Sequence, residues 1–154
     1  MPSGWATIRA TTLPMRSTPN FGTGTQLQEM YITPTLLSEK DWNVLAQTAK
    51  WSRANAEVLK DSHWIGGDPA QLQVYGWASW SPDKAILTLR NPSDQPQQFT
   101  AKLAALLELP AASARQFTVR SPWSNDPIVS ISAAAPHTFH LHPFEVLTLE
   151  LSPR

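Results

Sequence analysis

A chain of 154 residues is long enough to bury one substantial core and too short for two full-sized domains. Twelve Lys and Arg balance twelve Asp and Glu, so no net field or basic run marks nucleic acid or an anionic membrane as a partner. Cysteine is absent, which excludes disulfides, thiol nucleophiles and thiolate metal sites, and no run approaches the ~18 apolar residues of a spanning helix. Fourteen prolines against six glycines point to many rigid turns, and seven tryptophans are a heavy aromatic load. The opening Met1-Pro2-Ser3-Gly4-Trp5 lacks the charged and apolar blocks of a signal peptide.

In chain order, residues 1–24 read as an irregular segment with a short strand at 6–10, and 27–32 as a second short strand ended by Pro34. A helix is predicted over about 38–60. Ser38 can cap it, Asp41 follows three residues later as the acid of a capping box, and apolar periodicity runs on to Leu59. Trp42, Leu45, Ala49 and Ala56 form one stripe, while Val44, Trp51 and Val58, spaced by seven, form another beside it. So wide an apolar arc calls for two neighbours, one within the chain and one beyond it. The segment 61–69 reads as a loop from its Gly-Gly and Asp-Pro pairs.

Strand patterns then follow in series. Over 74–80, Tyr75 and Trp77 alternate with Val74, Ala78 and Trp80; over 85–90, Ala85, Leu87 and Leu89 alternate with Ile86, Thr88 and Arg90. Ser81-Pro82-Asp83-Lys84 makes the turn between them. Phe99, Ala101 and Leu103 alternate with Thr100 and Lys102 in a third strand, and the Ala-rich stretch 104–114 is either a connection with one helical turn or a crossing strand. Phe117 to Val119, Ile128 to Ile131 and two runs bent at Pro143 complete the series, with Leu147, Leu149 and Leu151 inward and Val146, Thr148 and Glu150 outward. The fold class is mainly β: an antiparallel β-sandwich of about seven strands (71–154), preceded by an irregular segment and one long barrel-type α-helix (1–70).

Three runs, Leu27-Gln28-Glu29-Met30-Tyr31-Ile32-Thr33-Pro34, the helix from Asp41-Trp42 to Trp51-Ser52-Arg53-Ala54-Asn55, and Leu141-His142-Pro143-Phe144-Glu145-Val146, resemble the C-terminal end of α-galactosidase-like glycoside hydrolases. Tyr75-Gly76-Trp77-Ala78-Ser79-Trp80 and Leu87-Thr88-Leu89-Arg90-Asn91-Pro92 add to the resemblance, which spans about 27–151. It implies a catalytic (β/α)8 barrel whose last helix leads into a β-sandwich, and a secreted or periplasmic setting. Such barrels assemble their sites from loops after earlier strands, and retaining hydrolysis needs two carboxyls about 5 Å apart. Those strands have no counterpart here, so the resemblance brings over no catalytic residue.

The remaining candidates are weak as chemistry. Glu29, Asp61 and Asp68 are the acids nearest the barrel-like part, but two of them fit ordinary turn and helix-end roles. His137, His140 and His142 sit near one another in sequence without a neighbouring acidic ligand, and read as surface histidines rather than a metal site. No cofactor is expected. The aromatic set Trp64, Tyr75, Trp77 and Trp123 suits a carbohydrate platform, because sugar rings stack their C–H faces on indole and phenol rings. The competing reading puts Trp77 in the sandwich core and Trp80 against the helix. Trp42, Trp51 and Val58 are the expected interface residues, meeting either a barrel domain or a second copy of the chain. The sequence thus points to a noncatalytic packing module, with glycan binding as the alternative.

Overall fold

The computed structural model describes residues 21–24, 33–113, 116–124 and 128–154. The strands predicted at 6–10 and 27–32, and Glu29 with them, lie outside the described residues.

Helix α1 (Glu39–Ala54) begins at the predicted cap. Ser38 Oγ accepts from Asp41 N at 3.3 Å while Ser38 N donates to Asp41 Oδ2 at 2.9 Å, closing the reciprocal box. The Ser38 hydroxyl, which donates to Asp41 Oδ2 at 2.7 Å, and then the Ser38 N–H hold the Asp41 carboxyl below the usual aspartate range. The periodicity to Leu59 is interrupted at Asn55, whose backbone leaves the helical region at φ −108°, ψ 15°. Its amide donates to the Trp51 carbonyl at 2.8 Å, an alternative to the backbone ladder that short polar side chains offer. Helix α2 (Ala56–Leu59) resumes after this break.

Among the described residues eight strands follow: β1 (Ser62–Gly66), β2 (Tyr75–Trp80), β3 (Ala85–Arg90), β4 (Gln97–Lys102), β5 (Gln116–Arg120), β6 (Val129–Ser132), β7 (Pro136–Leu141) and β8 (Val146–Pro153). One antiparallel sheet has the order β1-β2-β3-β8-β5-β6, and β4 pairs β7 in a second. The first strand corrects the loop expected at 61–69: Trp64 and Ile65 pair with Trp77 and Gly76 along β2, so sheet pairing overrides the local Gly-Gly signal. Leu103, expected to continue the third strand, instead opens one short helix, α3 (Leu103–Leu106), in the Ala-rich connection, where its carbonyl accepts from Leu107 N at 2.9 Å.

The core lies between the sheets and follows from alternation. Ala78, Leu87 and Leu149 are cross-strand partners on the inner face, and all three are fully buried. Leu147, Leu151, Phe117 and Val119 join them from the six-stranded sheet, and Phe139 and Leu141 face them from β7. Trp80 packs on this cluster while Trp77 stands on the opposite sheet face. That reverses the predicted assignment of the two indoles. The reason is parity: Trp80 shares the face of Ala78, and Trp77 that of Ser79.

Asn91 ties the loops at one end of the sandwich. Fully buried, it donates through Nδ2 to Gln95 O and His142 O, each at 2.8 Å, and accepts from Ser93 N at 3.0 Å. The β3–β4 and β7–β8 loops are thereby joined through one side chain, with Phe144 N donating to Ser93 O at 2.9 Å.

Candidate functional site

The outer face of the six-stranded sheet holds the residues of interest, in three cross-strand rows. Ser62, Ser79, Ile86, Glu150 and Arg120 form one row, Trp64, Trp77, Thr88 and Thr148 the next, and Gly66, Tyr75, Arg90 and Val146 the third. Helix α2 and the end of α1 cover the first row: Val58, Leu59 and Ile86 make a small apolar cluster with Trp51 packed against it. The segment 21–24 lies beside them. A Cβ on Gly22 would meet Thr88 Cβ at 3.0 Å, and one on Gly24 would meet Ser62 Cβ at 2.5 Å, so only glycine permits this approach.

Under that cover sits Glu150, 4% exposed. Its Oε1 accepts from Trp51 Nε1 at 2.8 Å and lies 2.9 Å from Lys84 Nζ; its Oε2 accepts from Arg120 Nη2 at 2.6 Å and Nε at 3.0 Å. Lys84 Nζ also donates to Asn55 Oδ1 at 2.6 Å. Burial by itself pushes the Glu150 carboxyl upward, but the hydrogen bonds from Lys84, Trp51 and Arg120 together outweigh it and leave the group below the ordinary glutamate range. Residue 150 does face away from the sandwich core, as alternation indicates, yet it faces a helix rather than water. It is a structural clasp between helix and sheet.

Trp64, Tyr75 and Trp77 meet on the second and third rows of the face. Trp64 stacks on Tyr75 with centroids 4.8 Å apart and planes 10° apart, and meets Trp77 edge-on at 5.4 Å. Tyr75 and Trp77 are themselves 5.6 Å apart and nearly perpendicular. Tyr75 is buried, whereas Trp64 is 49% exposed, so only the outermost ring of the three offers much of its surface to a ligand. The guanidinium of Arg90 lies over Tyr75, 6.0 Å from its centroid. Trp123 does not join this group: it packs on Trp51 at 5.4 Å, beside the Glu150 clasp, with its indole nitrogen buried.

Of the expected interface residues, Trp51 and Val58 are occupied within the chain, and Trp42 is the exposed one at 41%. Leu45 and Ala49, on its stripe, are half-buried. Asp68 caps a short turn by accepting from Ala70 N, and Asp61 is exposed past the helix end. His140 and His142 are exposed, while His137 Nε2 lies 2.8 Å from Ser132 O. Among the described residues no group of three or more His, Asp or Glu is placed to hold a metal.

With this geometry in view, solved structures supply the comparison. No family model matches the sequence, and no curated protein matches it either. The fold matches part of a candidate α-N-acetylgalactosaminidase from Bacillus halodurans, at TM-score 0.53 and 15% identity, covering 77% of this chain and 26% of that one. It also matches a family 27 β-L-arabinopyranosidase from Geobacillus stearothermophilus (TM-score 0.52, 15% identity, 77% and 25%) and an α-amylase from Geobacillus thermoleovorans (TM-score 0.53, 10% identity, 77% and 24%). The chain thus shares a fold with a region of glycoside hydrolases, and spans about a quarter of each. The match agrees with the resemblance read from the sequence, and a portion of that size accords with a terminal sandwich.

Proposed function

We propose that the chain is a noncatalytic packing module of a glycoside-hydrolase-like assembly, its helix held on the sandwich and its open stripe presented to a second body. The division of the helix carries this reading. Trp51, Val58 and Leu59 are spent on the sheet, whereas Trp42 remains exposed with Leu45 and Ala49 beside it. A contiguous apolar stripe exposed on one helix face marks a contact site. Carboxylates placed by the fold act structurally: Glu150 binds two cations, Glu145 accepts from His142 N, and Asp41 and Asp68 cap their elements. Without a barrel domain the stripe is expected to pair with a second copy. Sedimentation velocity across a concentration series should show a monomer–dimer equilibrium that Trp42→Glu shifts to monomer. A wild-type chain monomeric throughout, or one that hydrolyses a chromogenic α-galactoside, would overturn the reading.

A second reading rests on Trp64. An indole half-exposed and held rigid by two aromatic neighbours suits a sugar ring, and large rigid rings lose little freedom on binding. Titration with a neutral trisaccharide should then change tryptophan emission, and Trp64→Ala should abolish the response. A flat titration with wild type counts against it.

A further inference from the structure

We propose that the end of the outer sheet face where Trp64 and Arg90 are exposed takes an acidic oligosaccharide, with one ring stacked on Trp64 and the carboxylate of a nearby sugar residue held by Arg90. This rests on the sugar-binding reading of Trp64 and adds the ligand class. Arg90 is exposed, and among the described residues no carboxylate stands in ion-pair range of it. The ion-paired cations are Lys60 with Glu57, and Lys84 and Arg120 with Glu150. Arg90 instead has its guanidinium over the Tyr75 ring, and among the described residues its five N–H donors are available to a ligand. A guanidinium presents a planar fork that matches a carboxylate, and such charge-assisted hydrogen bonds are the strong ones.

Strand order sets the spacing. Trp64, Tyr75 and Arg90 stand on the adjacent strands β1, β2 and β3. Trp64 pairs with Trp77 while Arg90 pairs with Tyr75, so two strand spacings of about 4.8 Å combine with a two-residue offset of roughly 7 Å and put the two backbone positions on the order of 12 Å apart. That is the span of a short oligosaccharide rather than of one ring. Tyr75 is the common support, stacked on Trp64 and sitting under Arg90, so both contacts are oriented before any ligand arrives. Asp68 and Glu145, in the loops that follow β1 and β7, spend their carboxylates on the backbone donors Ala70 N and His142 N.

Calorimetric titration of the full chain with trigalacturonate and with neutral galactotriose tests the assignment. At low salt the acidic sugar is expected to bind at least about tenfold more tightly. Its advantage should shrink at 1 M salt, where screening acts within about 3 Å. Arg90→Gln should remove the advantage and keep neutral binding, Arg90→Lys should retain part of it, and Trp64→Ala should abolish both. Arg90 is exposed, so unchanged thermal midpoints of its variants serve as the folding control, while Trp64→Ala loses the stack on Tyr75 and is expected to lower the midpoint modestly with a single cooperative transition retained. Equal affinity for the two sugars, or a preference that survives Arg90→Gln, overturns the acidic assignment while leaving sugar binding in place. No heat with either sugar overturns both.

Discussion

Replacing Glu150 by alanine is expected to lower the unfolding free energy by about 3 kcal/mol, read as a fall in the urea midpoint. The carboxylate is nearly inaccessible and is shared by Lys84, Arg120 and the Trp51 indole, so its removal takes an acceptor from three side chains at once, of which Lys84 keeps Asn55 Oδ1. Arg120 is largely exposed and recovers hydration; Lys84 and Trp51 recover less. Glu150→Gln keeps the shape and an acceptor for Trp51, and should cost roughly half as much.

The same residue sets a pH dependence. Its folded pKa lies below its ordinary value, so the folded state holds the ionised form more firmly than the unfolded chain does. The associated stability is fully present above the ordinary glutamate range and is lost as pH falls through the folded pKa. Urea midpoints taken from pH 7 down to pH 3 should therefore fall more steeply for wild type than for Glu150→Gln. Parallel pH profiles for the two proteins would show that the clasp contributes no ionised-state stability.

The second large effect is in the sandwich. Leu149→Ala is expected to cost about 3–5 kcal/mol, because the residue is fully buried on β8 between the strands that hold Leu87 and Val119. Strand β8 joins β3 to β5 within the sheet, so little backbone freedom exists to collapse the resulting cavity. Against a domain stability of about 5–15 kcal/mol, such a loss brings the chain near its threshold. A drop under 1 kcal/mol would mean that the inner layer repacks freely, against the close packing described above.

The carbohydrate and packing readings draw on separate parts of one sheet face. The helix contacts fall on the row of Ile86, and the aromatic cluster occupies the next two rows. The face that meets the helix is thus also the face that leaves Trp64 open, and substitutions at Trp42 and Trp64 should act independently.

Local sequence determined much of this molecule. The capping box at Ser38 and Asp41, the inward Leu147, Leu149 and Leu151, and the alternation that puts Tyr75 with Trp77 all follow from spacing, because helix and strand periods fix which side chains share a face. What spacing could not supply was which object each face would meet. Glu150 alternates like a surface residue and is buried under a helix more than ninety positions away; Trp77 and Trp80 exchange their expected neighbours; Trp123 packs on Trp51 rather than with Trp64; and Ser62–Gly66 becomes an edge strand only because β2 is there to pair with it. Those outcomes depend on contacts between residues far apart in the chain, whose energies exceed local turn and propensity signals. Tertiary structure alone therefore decided the clasp, the open aromatic end and the charge beside it.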